Sequence, residues 1–224
     1  MPAFSFLLGF FLLGLLAGAS CFCLGMRSGG DGEKKHARAG VFFMMLTALA
    51  AGGVFAWTGV VYGTGRESLM GALFAAMLAT VSVTDVRFRL IPNRVIVPFG
   101  AAFFLLRCLF PADRTVGPHL MAMAASFALL LLLARLPAGG IGGGDVKLYA
   151  VVALFLGMPK FACAALLSAG LGCLYGLSLC AIKGRGKRVE VPMAPFIAAG
   201  SLAVYLGGPS LAARLPHFLS SLLA

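Results

Sequence analysis

Long apolar segments constrain the fold of this chain more than any other feature. A transmembrane helix needs about 20 consecutive apolar residues, within a range of roughly 17–25. Candidate segments follow one another at 3–26, 40–62, 68–84, 95–110, 119–136, 145–157, 160–182 and 193–207. Only 11% of the residues are charged, whereas a soluble domain has about 25%. The pattern predicts an all-α, polytopic membrane protein with about eight transmembrane helices.

The order of these segments predicts three regions. Residues 1–62 hold two N-terminal transmembrane helices, 63–208 a six-helix core, and 209–224 an apolar C-terminal tail. Residues 3–26 lack the basic start of a signal peptide and exceed its apolar core of about 7–15 residues. We therefore expect the first helix to be retained.

The net charge of +11 has a topological explanation. If the eight segments alternate in direction, four loops share one face of the membrane, and they hold most of the basic residues: 27–39, 86–94, 137–144 and 183–192. Basic loops are typical of the cytoplasmic side. The sequence therefore predicts cytoplasmic basic loops that contact the lipid bilayer, outside termini, and no nucleic-acid partner.

The cysteines do not predict a metal site. The chain has six, none of them in a Cys-x-x-Cys pair: Cys21, Cys23, Cys108, Cys163, Cys173 and Cys180. Structural zinc sites use such paired spacing. Nearly all six lie in apolar segments, where cysteine is typical as a small packing residue. We expect no metal and no cofactor.

Two aspartates stand out because they lie at the ends of apolar segments. Asp85 closes the third segment, and Asp145 opens the sixth. An ionisable side chain at membrane depth is costly and suggests a functional site. An even number of crossings separates the two, so the topology predicts that they share the cytoplasmic face and meet in space.

The surroundings of Asp145 predict a helix that starts below the membrane surface. The segment 145–157 is short for a span, and the glycine-rich stretch 139–144 precedes it. We expect irregular backbone over this stretch, which is tolerated at depth only when it is covered by protein or lines a wet cavity. Asp145 would then be the N-cap of the helix that follows.

Two neighbouring carboxylates do not readily both ionise, so they would share one proton. In that aspartic-protease arrangement, Asp145 would be the base and Asp85 the acid, or the two roles would be reversed. Two alternatives stay open. Each aspartate could be a simple cap or ion-pair partner, with Arg87 or Arg89 beside Asp85, or the pair could relay protons in a transporter.

Three stretches resemble the type IV prepilin peptidase family. The segment Asp85 to Asn93 closes on Leu90-Ile91-Pro92-Asn93 and looks like the first catalytic motif of that family. Residues 142–148 look like its Gly-x-Gly-Asp motif, and 191–200 resemble the prolines and glycine that open its last span. The resemblance implies that 63–208 is an aspartic protease core with Asp85 and Asp145 as its catalytic pair. Its site-shaping residues would be Gly142, Gly143, Gly144, Lys147, Pro92 and Asn93.

The resemblance also implies an activity and a location. Family members are intramembrane endopeptidases of the inner (cytoplasmic) membrane. They remove a short basic leader from prepilins and pseudopilins of type IV pili and type II secretion systems, cutting at the cytoplasmic face. Many also methylate the new N-terminus and have two cysteine pairs in an N-terminal loop. Residues 27–39 have no cysteine, so methylation is doubtful. An intramembrane aspartic protease with other substrates is an alternative.

Overall fold

The computed structural model describes residues 52–54, 56–57, 66–109, 116–136, 141–183 and 191–207. Within these ranges the elements with defined bounds are α-helices: α1 (Arg66–Phe88), α2 (Asn93–Leu109), α3 (Gly117–Ala134), α4 (Gly143–Leu156), α5 (Met158–Lys183) and α6 (Ala194–Leu206). Each coincides with one of the last six predicted apolar segments, which confirms the all-α prediction for this part. The predicted helix 3–26, most of 40–62 and the tail 209–224 lie outside the described residues.

Three of the described helices are long and apolar enough to cross a membrane. They are Leu69–Phe88 of α1, Gly117–Ala134, and Met158–Ile182 of α5. α4 has 14 residues, a length of about 21 Å at 1.5 Å per residue, which is less than a hydrocarbon core of about 30 Å. The chain is therefore an all-α membrane protein, whereas the count of eight spans stays a prediction.

The chain divides into two compact units, Met1–Val116 and Gly117–Ala224. Helices α1 and α2 belong to the first unit, and α3 to α6 belong to the second. The boundary falls inside the predicted core 63–208, and the extent of that core stays a prediction.

In the first unit, α1 packs against α2 through an aromatic contact. The rings of Phe74 on α1 and Phe103 on α2 are fully buried and meet edge-on, with centroids 6.1 Å apart. Such pairs contribute about 0.5–1.5 kcal/mol beyond the burial of their area. Met77, Leu78 and Val81 of α1 are buried as well. This core extends to within one turn of Asp85.

Arg89 closes α1 with a left-handed backbone, at φ 51°. Its N–H donates to the carbonyl oxygen of Asp85 at 2.8 Å, an arrangement that glycine usually makes at helix ends. The carbonyl oxygen of Pro92 then accepts the amides of Val95 at 3.0 Å and Ile96 at 3.2 Å. The loop between α1 and α2 is therefore short and fixed by backbone hydrogen bonds at both ends.

Glycine in place of Arg89 is expected to stabilise the protein. A left-handed backbone costs an L-residue roughly 1–2 kcal/mol, while glycine adds about 0.5–1 kcal/mol of chain entropy cost. We expect Arg89→Gly to raise the free energy of unfolding by about 0.5–1 kcal/mol, measured by thermal unfolding in detergent. The control Arg87→Gly, inside the last turn of α1, should lower it by about 1 kcal/mol. Equal losses in both variants would contradict the left-handed cap.

In the second unit, α4 lies in the interior. It packs against α3, α5 and α6, and every residue from Leu148 to Leu156 is buried. Its neighbours are far more open, since 17% of the α3 span and 11% of the α5 span are buried. Their exposed side chains are largely apolar and include Leu129, Leu132, Leu174 and Leu177. Such a surface suits contact with lipid rather than with water.

A single residue, Gly157, separates α4 from α5. Its φ is 75° and its N–H donates to the carbonyl oxygen of Ala153 at 2.9 Å. A Cβ at this position would lie 3.2 Å from Cε1 of His119. The buried His119 donates from Nδ1 to the carbonyl oxygen of Leu154 at 3.0 Å. The helix therefore ends before Pro159, as expected for a short sixth segment, and α3 caps its C-terminal end.

Helices α5 and α6 approach each other closely at Gly200. A Cβ on Gly200 would lie 2.9 Å from the carbonyl oxygen of Ala164 and 2.9 Å from the backbone nitrogen of Ser168. A second glycine, Gly172, faces Met193, whose Sδ would lie 3.0 Å from an added Cβ. Met193 is the N-cap of α6. The absence of side chains at these two glycines lets the start and the middle of α6 lie against α5.

Candidate active site

Asp85 lies in the last turn of α1, and its side chain is 7% exposed. The preceding hydroxyl groups are satisfied within the same helix. Thr80 donates to the carbonyl oxygen of Ala76 at 2.8 Å, and Thr84 donates to that of Val81 at 2.9 Å. Because each hydroxyl keeps acceptor lone pairs, a buried polar strip runs along α1 to Asp85.

Pro92 and Asn93 lie at the start of α2, after the loop that Arg89 begins. Pro92 is buried and Asn93 is exposed. The carbonyl oxygen of Pro92 accepts backbone amides from the first turn of α2 and so caps the N-terminus of this helix. The two residues therefore fix the chain that leaves Asp85, and any closer role at the site remains a prediction.

Asp145 is the third residue of α4 and is half-buried. The N-cap of this helix is Gly142, with φ −67° and ψ 142°, and its carbonyl oxygen accepts the amide of Val146 at 3.2 Å. The prediction that Asp145 is the N-cap is therefore wrong. The expectation of irregular backbone over 139–144 is wrong for Gly143 and Gly144, which are already helical, while residues 141 and 142 precede the helix and residues 139 and 140 lie outside the described part of the chain.

The carboxylate of Asp145 lies back over Gly142. A Cβ on Gly142 would lie 3.0 Å from Oδ2 of Asp145, while a Cβ on Gly143 would have no atom within 4 Å. The free amides and the dipole at a helix N-terminus favour a negative charge in the first turn. Because Gly142 has no side chain, there is room for the Asp145 carboxylate at the N-terminus of α4.

This contact gives a prediction for the two glycines. Gly142→Ala should push the Asp145 carboxylate aside and lower kcat of the proposed cleavage by about 10- to 100-fold, because small misplacements of catalytic groups have effects of that order. Gly143→Ala meets no neighbouring atom and should lower kcat less. Cleavage assays with purified variants would measure both. A larger loss in Gly143→Ala than in Gly142→Ala would contradict this placement of the carboxylate.

Lys147 is exposed, two residues after Asp145 on α4. Residues two apart on a helix do not face each other. Its predicted influence on Asp145 would therefore act through charge rather than through a shared helix face, and remains a prediction. Within the residues that the structure describes, no group of three or more His, Cys, Asp or Glu side chains could hold a metal ion.

Sequence reasoning missed a polar contact one turn beyond Asp145. The hydroxyl of Tyr149 lies 2.8 Å from Oγ of Ser168 on α5, and both side chains are buried. His119 was missed as well. A signal for Tyr149 is present, because it has the one hydrogen-bonding side chain between Leu148 and Leu156.

Asp85 belongs to the first compact unit and Asp145 to the second. Each unit thus presents one carboxylate at a helix end. The two ends have opposite polarity, since Asp85 is in a last turn and Asp145 in a first turn. Their pairing is part of the function proposed below.

Known proteins match the part of the chain that holds both aspartates. The type IV leader peptidase family matches residues 72–177. The prepilin leader peptidase/N-methyltransferase of Bacillus subtilis (strain 168) is 38% identical over 158 residues, which are 70% of this chain and 63% of that protein. The protein of the same name from Aeromonas salmonicida (strain A449) is 26% identical over 154 residues, 66% of this chain and 52% of that protein.

The chain thus spans between about half and 63% of the length of these curated relatives. No solved structure matches it at a significant level. The matched residues run from α1 into α5 and include the aspartate at the end of α1, the glycines before α4 and Asp145. Over residues 72–177, the chain is therefore similar to the type IV leader peptidase family.

Proposed function

We propose that the protein is an intramembrane aspartic endopeptidase that removes the short basic leader from type IV prepilin-like substrates. One observation carries the proposal: the family match covers two aspartates at helix ends, Asp85 buried in a last turn and Asp145 half-buried in a first turn. The names of the matched relatives supply the substrate class, prepilins.

The polarity of the two helices supports different roles for the aspartates. A helix N-terminus favours a negative charge and a helix C-terminus disfavours it, each by about 0.3–1 kcal/mol at exposed sites. Asp145 is therefore the ionised member of the pair and Asp85 the protonated member. Two carboxyl groups with one proton between them provide a base and an acid in the same site.

Cleavage would then proceed in two steps. Asp145 takes a proton from water while the water oxygen attacks the carbonyl carbon of the scissile peptide, and Asp85 gives its proton to the developing oxyanion. When the tetrahedral intermediate collapses, the carbon–nitrogen bond breaks. The proton held on Asp145 moves to the leaving nitrogen, and Asp85 regains the proton from the oxygen. The pair returns to its starting state with one proton.

We further propose that the chain has about eight spans and lies in the inner membrane with its site at the cytoplasmic face. The basic residues support this orientation, since Arg89 and Arg94 are exposed in and after the loop that follows Asp85 and basic loops favour the cytoplasmic side. N-methylation is named for the relatives. Residues 27–39, predicted to be a loop, have no cysteine pair, and we expect cleavage without methyl transfer.

Co-expression with a candidate prepilin tests the proposal. Cells with the wild-type chain should release the leader, whereas cells with the double variant Asp85→Asn/Asp145→Asn should accumulate the precursor at equal protein levels. The mass of the mature N-terminus gives both the cut position and any added methyl group. A single-span protein with an unrelated leader is the matched substrate control. Equal cleavage of both substrates would instead indicate an intramembrane protease of broader specificity, and no cleavage by the wild-type chain would end the proposal.

A further inference from the structure

The sequence of α4 leaves the rotation of this helix about its own axis undetermined. Apart from the Tyr149 hydroxyl, its side chains after Lys147 are apolar on every side, and all residues from Leu148 to Leu156 are buried. An amphipathic helix is oriented by its apolar stripe, but a helix that is apolar all round has no such stripe. A directional contact is needed to fix the face on which Asp145 lies.

Tyr149 provides that contact. Ser168 has one hydroxyl proton, and it donates to the carbonyl oxygen of Ala164 at 2.8 Å. Tyr149 must therefore be the donor in its 2.8 Å bond to Oγ of Ser168. The ring of Tyr149 also packs edge-on against Phe161, with centroids 6.0 Å apart. Both the hydroxyl and the ring of this side chain thus bind α4 to α5.

Ser168, the acceptor of this hydrogen bond, is itself held in place. The carbonyl oxygen of Ala164 and the backbone nitrogen of Ser168 are the two atoms nearest to the position that a Cβ on Gly200 would take, each at 2.9 Å. Helix α6 therefore crosses α5 at the residue that accepts the Tyr149 hydrogen bond. Three helices are joined at one point, and α4 cannot rotate without breaking a buried hydrogen bond.

Tyr149 lies on α4 at a position from which a fixed rotation of the helix also fixes the direction of Asp145. It follows Asp145 by four residues on α4, and residues at that spacing share a helix face. Any rotation of α4 that moved Tyr149 away from Ser168 would turn Asp145 by the same angle.

We infer that Tyr149 and Ser168 form a latch that sets the rotation of α4 and thereby directs the Asp145 carboxyl group. Tyr149 is a positioning residue, and its role in cleavage rests on the function proposed above. The Tyr149 hydroxyl donates to Ser168, and the Ser168 hydroxyl donates to the backbone carbonyl of Ala164. They therefore act on the direction of Asp145 rather than on the reacting atoms.

The test compares Tyr149→Phe and Ser168→Ala in the full chain, purified and placed in phosphatidylglycerol-containing liposomes with a prepilin substrate. Each variant should lower kcat by about 10- to 100-fold, the size expected for a displaced catalytic group, with KM unchanged. The double variant should lose no more than the worse single variant, because both changes break the same hydrogen bond. Matched controls are Tyr175→Phe and Ser178→Ala, two exposed positions on α5, which should keep wild-type kcat.

A second readout does not depend on cleavage. The chain has four aspartates, so infrared spectra of protein labelled with ¹³C-aspartate resolve few carboxyl bands. Subtracting the spectrum of Asp145→Asn assigns the band of Asp145. This band should shift or broaden in Tyr149→Phe and in Ser168→Ala, and should match wild type in both controls.

The two readouts separate the possible failures. An Asp145 band that is unchanged in both latch variants overturns the inference, even if kcat falls. If the wild-type chain does not cleave, the proposed function fails and the infrared band alone decides whether the latch directs Asp145. If Tyr149→Phe does not fold, Ser168→Ala decides in the same way.

Discussion

Asp85→Asn and Asp145→Asn are each expected to lower kcat/KM of leader removal by about 10²- to 10⁴-fold, the usual contribution of acid–base groups. Asparagine keeps the shape of aspartate but neither takes up nor releases the proton that the pair shares. The double variant should be no slower than the slower single variant, because groups that act as one unit are not additive. Purified variants assayed with a prepilin substrate would give the three rates.

Asp113→Asn is the matched control, since Asp113 lies outside both aspartate motifs in the sequence and should keep its rate. If the loss of kcat/KM in the double variant equalled the product of the two single losses, the two carboxylates would act independently rather than as a pair. Unchanged cleavage in either single variant would remove that aspartate from the mechanism.

Gly200→Ala is expected to be the most destabilising of the glycine substitutions considered. Both atoms within 3.0 Å of the added Cβ belong to the backbone of α5, so no side chain can turn away, and the two helices must separate. Overpacking costs about 1–3 kcal/mol, and alanine returns up to about 1 kcal/mol in helix propensity. We expect a net loss of about 1–2 kcal/mol in the free energy of unfolding, measured by unfolding in detergent.

Gly170→Ala is the matched control because it lies on α5 and a Cβ there would have no atom within 4 Å. It gains the helix propensity of alanine without any clash. The two variants should therefore shift the unfolding midpoint in opposite directions. A higher unfolding midpoint in both variants would show that α6 lies farther from α5 than the contacts at Gly200 indicate.

The positions of the helices could be predicted from the sequence because apolar length alone defines a membrane helix. Each predicted segment from 68 to 207 coincides with a helix, including α6, which begins at Ala194 between two prolines. The start of α4 could not be predicted. Glycine adopts helical and extended backbone with similar ease, so the sequence does not show that α4 begins at Gly143 rather than after Asp145.

The contacts that hold α4 could not be predicted either. Tyr149 and Ser168 are 19 residues apart, and His119 and Leu154 are 35 residues apart. Each pair depends on which faces of neighbouring helices meet, and uniformly apolar helices give no periodic signal for those faces. The aspartates were found because a carboxylate in an apolar setting is unusual by itself, whereas a buried tyrosine or serine is recognised only with its partner.

Because α4 is enclosed by other helices, its depth in the membrane does not depend directly on the thickness of the lipid bilayer. Helices that meet acyl chains adjust to a mismatch in length by tilting or by thinning the membrane, at a cost of fractions of a kcal/mol per Å. In the second unit this adjustment falls on the open helices α3 and α5. The 14 residues of α4 take their depth from protein neighbours. Lipids with longer or shorter tails would therefore tilt α3 and α5 before they displaced the Asp145 carboxylate at the N-terminus of α4.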